Sequence, residues 1–222
     1  VPIAGEMMVS RWAFEALAVN QFKENEFEKY YYPFDKAMSI ANFKRNFWIP
    51  AVKTRVTMCL NYFEKKEREQ KFNINLKTIK SELNKEIKQV FYFINKLQKP
   101  NNNLTQKELK KYFPKSRVEL LKETLINSEK MLSSNVVFDK ELAVKINKTL
   151  NSIKSFYTKY YNANSKRKNI IISQLQKKEN GKILFLDNRD KFQNESLSDL
   201  VKNDSELNKI IANDGILIQK SD

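Results

Sequence analysis

Residues 76–97 read LKTIKSELNKEIKQVFYFINKL. Leu76, Ile79, Leu83, Ile87, Val90, Ile94 and Leu97 step by three and four, which lays them along one stripe of a helix with 3.6 residues per turn. The pattern predicts a packed amphipathic helix of about 22 residues, ended by Lys99-Pro100 and a run of three asparagines. A stripe of that length needs partners of the same kind, and the rest of the chain offers them. Upstream, Pro50 suits a first helical turn, and Val52, Val56, Cys59 and Phe63 share one stripe. Downstream, Thr105 with Glu108 spells a capping box for a short helix to Phe113. Pro114 then restarts the chain as a first-turn residue, with Val118, Leu121, Leu125, Ser128 and Leu132 on the inner face. Asp139 is placed to cap a longer helix whose inner face carries Leu142, Ile146, Leu150, Ile153, Tyr157 and Tyr160. Continued past the polar patch 162–169 to Ile171 and Leu175, it would hold about 39 residues and extend roughly 58 Å.

The expected fold is therefore all-α, an elongated helical bundle with coiled-coil-like antiparallel pairs. Residues 24–34, acidic and then tyrosine-rich, are expected to break the chain up to Pro33, with Asp35 capping a short helix over Lys36–Ala41. At the other end, Ile183–Phe192 and Glu195–Val201 read as short helices. Asn213-Asp214-Gly215 is a turn signal, and Ile216–Lys220 reads either as one short strand or as an extended lead. The organisation that follows is an apolar helix and connector over 1–34, a helical bundle over 35–180, and short helices with a return segment over 181–222.

Composition supports helices. The 222 residues include 41% hydrophobic residues, enough for a real core, and only 3 Gly and 5 Pro. The single cysteine, Cys59, lies on an apolar stripe and is read as a buried structural thiol, with no disulfide framework to build. The net charge of +15 raises the question of nucleic acid. Lys outnumbers Arg 34 to 7, whereas readers of bases and phosphates favour the arginine fork, and no zinc-finger, basic-zipper or RNA-binding sheet motif is present. A nucleic-acid partner is therefore disfavoured, and the lysines are read as solvated faces.

The absence of histidine removes Ser-His-Asp and Cys-His catalysis and the common zinc sites from this stretch. Asn180-Gly181-Lys182 lacks the upstream Gly and following Ser or Thr of a phosphate-binding loop. Glu24, Glu26 and Glu28, and separately Asp187, Asp190 and Glu195, lack EF-hand spacing and read as solvated ion pairs. No catalytic, cofactor-binding or metal residue is expected. Tyr30, Tyr31 and Tyr32, and the pair Tyr160-Tyr161, are the aromatic candidates for a partner patch, weighed against plain packing between helices.

Ser10–Phe22, SRWAFEALAVNQF, departs from this amphipathic pattern. With Met7 and Met8, its Trp12, Phe14, Leu17, Val19 and Phe22 cover most of the helical circumference, leaving Arg11 and Glu15 as a polar pair four residues apart. Arg11-Trp12-Ala13-Phe14-Glu15-Ala16-Leu17 followed by Asn20-Gln21-Phe22 resembles the segment just after the fifth transmembrane helix of ABC exporters of the G type. In that family it lies at the outer membrane face and opens the extracytoplasmic loop before the last transmembrane helix. Tyr31-Tyr32-Pro33 with Phe34-Asp35-Lys36-Ala37-Met38, Trp48-Ile49-Pro50-Ala51, Asn194-Glu195-Ser196-Leu197 and Leu217-Ile218-Gln219-Lys220 extend the resemblance to the enlarged loop of large bacterial members. The loop of eukaryotic members is short and cysteine-stapled, so roles assigned to it do not carry over.

The resemblance implies a non-catalytic periplasmic domain of an inner-membrane transporter, serving as lid, docking or assembly surface. Its membrane-proximal motif would be Arg11, Trp12, Phe14, Glu15, Asn20 and Phe22. ATP and Mg would be needed by the full-length protein and not by this part. The partners implied are the rest of the transporter, the membrane, and a periplasmic or outer-membrane protein. An opening VPIAGEMM with no initiator Met is expected of a piece of a longer chain, and a loop between consecutive spans should bring Val1 and Asp222 close together. No apolar run here approaches the ~18 residues of a span. The competing reading is a free-standing basic helical module that binds a protein or nucleic acid.

Overall fold

The computed structural model describes residues 9–62, 69–99, 102–133, 138–194, 196, 210–213 and 216–219. The fold is all-α apart from one small hairpin. In chain order the helices are α1 (Val9–Glu24), α2 (Tyr32–Phe43), α3 (Ile49–Tyr62), α4 (Glu69–Gln98), α5 (Gln106–Tyr112), α6 (Lys115–Ser133), α7 (Lys140–Gln176) and α8 (Gly181–Phe192). Strands β1 (Ile210–Asn213) and β2 (Ile216–Gln219) pair antiparallel with Asn213 opposite Ile216. The open choice at Ile216 is thus resolved as the second strand of a hairpin. Of the expected helix over Glu195–Val201 only Ser196 is described, and it is helical; the place of Phe63 and the proximity of Val1 to Asp222 lie outside the described residues.

The chain forms two compact units, one made of Val1–Lys36, Ser165–Leu207 and Ser221–Asp222, the other of Ala37–Asn164 and Asn208–Lys220. In the larger unit, side-chain pairings give the helix directions. Trp48 meets Glu82 and Cys59 meets the Phe72 carbonyl, so α3 and α4 run antiparallel. Phe113 packs on Phe156 and Ser128 meets Thr149, so α6 and α7 are antiparallel. Phe72 on Phe138 and Phe93 on Tyr160 make α4 and α7 parallel. The core is the stripe read from the sequence: Ile79, Leu83, Ile87, Val90 and Ile94 of α4 are buried against Val52, Val56 and Cys59 of α3, Leu125 of α6, and Ile146, Leu150 and Ile153 of α7. Leu217 of β2 and the half-buried Ile210 of β1 join this core.

Local signals account for several helix ends. Thr105 Oγ1 accepts from the Glu108 N–H while the Glu108 carboxylate accepts from the Thr105 N–H at 2.7 Å, so the capping box forms as expected. Asp139 accepts from the Leu142 N–H at 2.7 Å and caps α7. Helix α7 continues through the polar patch as one element of 37 residues, because Lys and Arg extend a helix readily and Asn164 turns its amide back onto the Tyr160 carbonyl at 2.7 Å.

Two expectations at the N-terminal end need correction. The first helix ends at Glu24, and Pro33 falls within the first turn of α2, where a missing N–H costs nothing. Asp35 therefore lies inside that helix and does not cap one; it pairs with Lys168 at 2.6 Å.

The turn between α7 and α8 explains Asn180-Gly181. Asn180 adopts a left-handed backbone with φ 56°. A Cβ on Gly181 would stand 2.1 Å from the Leu175 carbonyl oxygen, so only glycine allows the chain to fold this closely over the end of α7.

Candidate functional site

The sequence motif lies on α1, a helix that leaves several large apolar side chains exposed. Phe14 is 62% exposed, Leu17 68% and Val19 42%, while Ala18 and Phe22 are buried. Asn20 is exposed. The side chains of Arg11, Trp12 and Glu15 lie outside the described residues, and with them the expected ion pair.

The tyrosine run does not form one surface. Tyr31 is buried edge-on against Phe27 at 5.4 Å and Phe185 at 6.5 Å, with Lys168 Nζ 5.6 Å from its ring centroid. Burial, and then the charge of Glu28, raise its phenol pKa. Tyr32 is half-buried and meets Phe22 edge-on at 6.3 Å, which leaves Tyr30 alone largely exposed. Consecutive residues of helical turns point in different directions, so a run of three cannot share a face. Of the second pair, Tyr160 is buried, and Tyr161 is half-buried with the Arg45 guanidinium 5.0 Å from its ring centroid.

The densest polar constellation was not singled out from the sequence. Glu82 and Glu86, four apart on α4, are both buried inside the bundle. A five-residue π segment, Lys44–Trp48, joins α2 to α3 and presents Lys44 and Trp48 to them. A π turn shifts the phase of the residues that follow it, which is how one helix rod aims both side chains at the same pair. Trp48 Nε1 donates to Glu82 Oε2 at 2.8 Å, and Lys44 Nζ donates to Glu86 Oε2 while lying 4.9 Å from the Trp48 ring centroid. From α7, Tyr157 Oη donates to Glu86 Oε1 at 2.6 Å. Glu82 Oε1 accepts no hydrogen bond, and Lys85 Nζ stands 3.6 Å from it. Burial lowers the Arg55 pKa against the opposing pull of Glu82, and burial, then Glu86, raise that of Tyr157.

A signal for this network was present in residues 76–97. Positions 82 and 86 adjoin the stripe positions 83 and 87, so both glutamates lie at the edge of the buried face. What their sequence could not show is the cation and the two aromatic donors that meet them. Glu86 is saturated by Tyr157 and Lys44, which makes the network a specifier of how α3, α4 and α7 pack.

Among the described residues no group of three or more His, Cys, Asp or Glu side chains is placed to hold a metal, and no helix is long and apolar enough to cross a membrane. No family model, curated protein or solved structure matches this chain.

Proposed function

We propose that this chain is a non-catalytic extracytoplasmic domain of an ATP-driven exporter resembling the G-type ABC transporters, acting as a lid, docking or assembly surface. The observation that carries the reading is that α1, the helix bearing the Arg11–Phe22 resemblance, leaves Phe14, Leu17 and Val19 in solvent although its neighbours Ala18 and Phe22 are buried. Phe14 and Leu17, three residues apart on one side of the helix, suit the membrane–water interface, where aromatic residues are enriched. The positive net charge is compatible with that location, because the positive-inside rule is counted over short loops and long domains translocate largely regardless of charge. ATP and Mg belong, on this reading, to other parts of the full-length protein. The partners are those other parts, the membrane, and a periplasmic or outer-membrane protein docking on the bundle.

The test is topological. In spheroplasts producing the full-length protein, a Glu123→Cys variant should react with a membrane-impermeant maleimide, since Glu123 is exposed. The buried Cys59 supplies an internal background that should stay unlabelled. Labelling of residue 123 only after lysis would place the domain in the cytoplasm and refute the proposal.

A further inference from the structure

Helix α5 and the first turn of α6 form a cationic end of the helical bundle. Between Lys96 and Lys122 the chain carries eight Lys and Arg and only two acids, Glu108 and Glu119. Glu108 is withdrawn from the surface, being buried in the capping box with Thr105. Lys107, Lys110, Lys111, Lys115 and Arg117 are exposed. Among the described residues none of these five makes an ion pair, and it is their density in a short stretch, not the lack of pairing, that sets them apart from the other exposed lysines.

Packing draws further charge to the same place. Phe113 lies 5.7 Å from Phe156, and Phe93 lies 5.3 Å from Tyr160, so this end of α4, α5 and the middle of α7 meet. There Lys159, half-buried, has its pKa lowered by burial and by the charge of Arg117. Cations held beside one another with only Glu119 exposed among them raise each other's energy, and an anion that neutralises them recovers it. The first turn of α6 also holds no acid, so the positive end of the helix dipole adds to the same field.

We propose that this end of the bundle is a docking surface for an anionic lipid membrane, engaged through phosphate headgroups. Its chemistry favours lipid over nucleic acid. Four of the five free cations are lysines, point charges without the fork that reads bases, and a bilayer surface of closely spaced phosphates makes no demand on geometry. Most rings at this end are withdrawn from any ligand, Phe156 and Tyr160 being buried and parallel at 5.9 Å, which leaves Tyr92 as the exposed ring there and short of the row of aromatics on which successive bases stack. Leu120, 64% exposed and one turn beyond Arg117, supplies an apolar side chain at the rim suited to the headgroup zone. The inference concerns a surface in the larger unit and stands whether or not the transporter reading does.

The experiment is co-sedimentation of the 222-residue chain with phosphatidylglycerol–phosphatidylcholine vesicles, against pure phosphatidylcholine vesicles and a single-stranded oligonucleotide. The unsubstituted chain should bind the anionic vesicles only, and release at about 1 M NaCl, where the Debye length is about 3 Å. Replacing Lys107, Lys110, Lys111, Lys115 and Arg117 by Gln should weaken that binding at least tenfold, each cation near such a surface being worth about 1 kcal/mol. A control replacing Lys71, Lys77, Lys130, Lys140 and Lys148, exposed cations lying elsewhere in the same unit, changes net charge equally and should bind nearly as the parent does. Matched circular dichroism melts keep the comparison between folded proteins. Equal losses in both variants, unchanged binding by the first, or tighter binding of the oligonucleotide through the same five residues would each overturn the proposal. Its failure would leave the maleimide result at residue 123 untouched.

Discussion

The Tyr157 hydroxyl donates to Glu86 Oε1 at 2.6 Å across 71 residues of sequence, and both side chains are buried. Together with Lys44 on the other carboxylate oxygen, this fixes the register of three helices at one point. The energetic consequence is asymmetric. A buried carboxylate that loses its cation costs far more than a neutral replacement of both partners. Lys44→Met is therefore expected to destabilise the domain by about 3–5 kcal/mol, whereas Lys44→Met combined with Glu86→Leu should recover part of that loss, the rest being the buried Tyr157 hydroxyl left without its acceptor. Urea unfolding of the two single variants and the double variant measures the coupling. Simple additivity would show that the pair is not coupled in the fold.

Tyr157→Phe removes only the donor. Glu86 keeps Lys44, so the expected loss is about 1–3 kcal/mol, smaller than that of Lys44→Met. The order of the two losses, read in the same titrations, is the critical result. A larger effect from the tyrosine would make the hydroxyl, and not the ammonium, the main counterpart of the carboxylate.

The stripe from Leu76 to Leu97 was legible because a period near 3.6 over seven apolar residues has no competing explanation. The capping box at Thr105 and the cap at Asp139 were legible because each acts within four residues of itself. Pro33 misled because the rule that its ring disfavours helix on the preceding residue competes with its fitness for a first turn, and only the packing of α2 decides between them. The candidate sites divide in the same way. Tyr30, Tyr31 and Tyr32 look alike in sequence and separate only when Phe27 and Phe185 enclose Tyr31. Glu82 and Glu86 resemble any surface glutamates beside a stripe until a π turn far upstream brings Lys44 and Trp48 to them.

Cys59 is fully enclosed, and burial pushes its thiol pKa up to about 11 from 9.0. The folded state thus favours the neutral thiol. The stabilisation this gives is complete below pH 9 and is lost as pH rises from about 9 towards 11, the direction set by a folded pKa above the unfolded one. Native protein at pH 8 should react with a thiol reagent only through unfolding, at a rate that follows denaturant concentration. In Cys59→Ala the part of the alkaline destabilisation due to the thiol should vanish. Rapid labelling without denaturant would mean that α3 opens locally.

The exposed face of α1 separates a role in folding from a role in the proposed transporter. Phe14 and Leu17 are about two-thirds exposed, so Phe14→Ser with Leu17→Ser should change the melting stability of the isolated chain by no more than about 0.5 kcal/mol per site. In the full-length protein the same side chains would rest at the lipid interface, where burying an aromatic or leucine side chain is worth about 1.5–3 kcal/mol. Stimulated ATPase activity and vesicle transport by the intact protein should then fall, and Arg11→Ala should act in the same direction. The two readouts have opposite expectations, which makes the comparison decisive. A double variant that melts well below the parent would show that α1 packs as part of the soluble fold. One that leaves both stability and transport unchanged would remove the membrane-interface role of α1 from the proposed function.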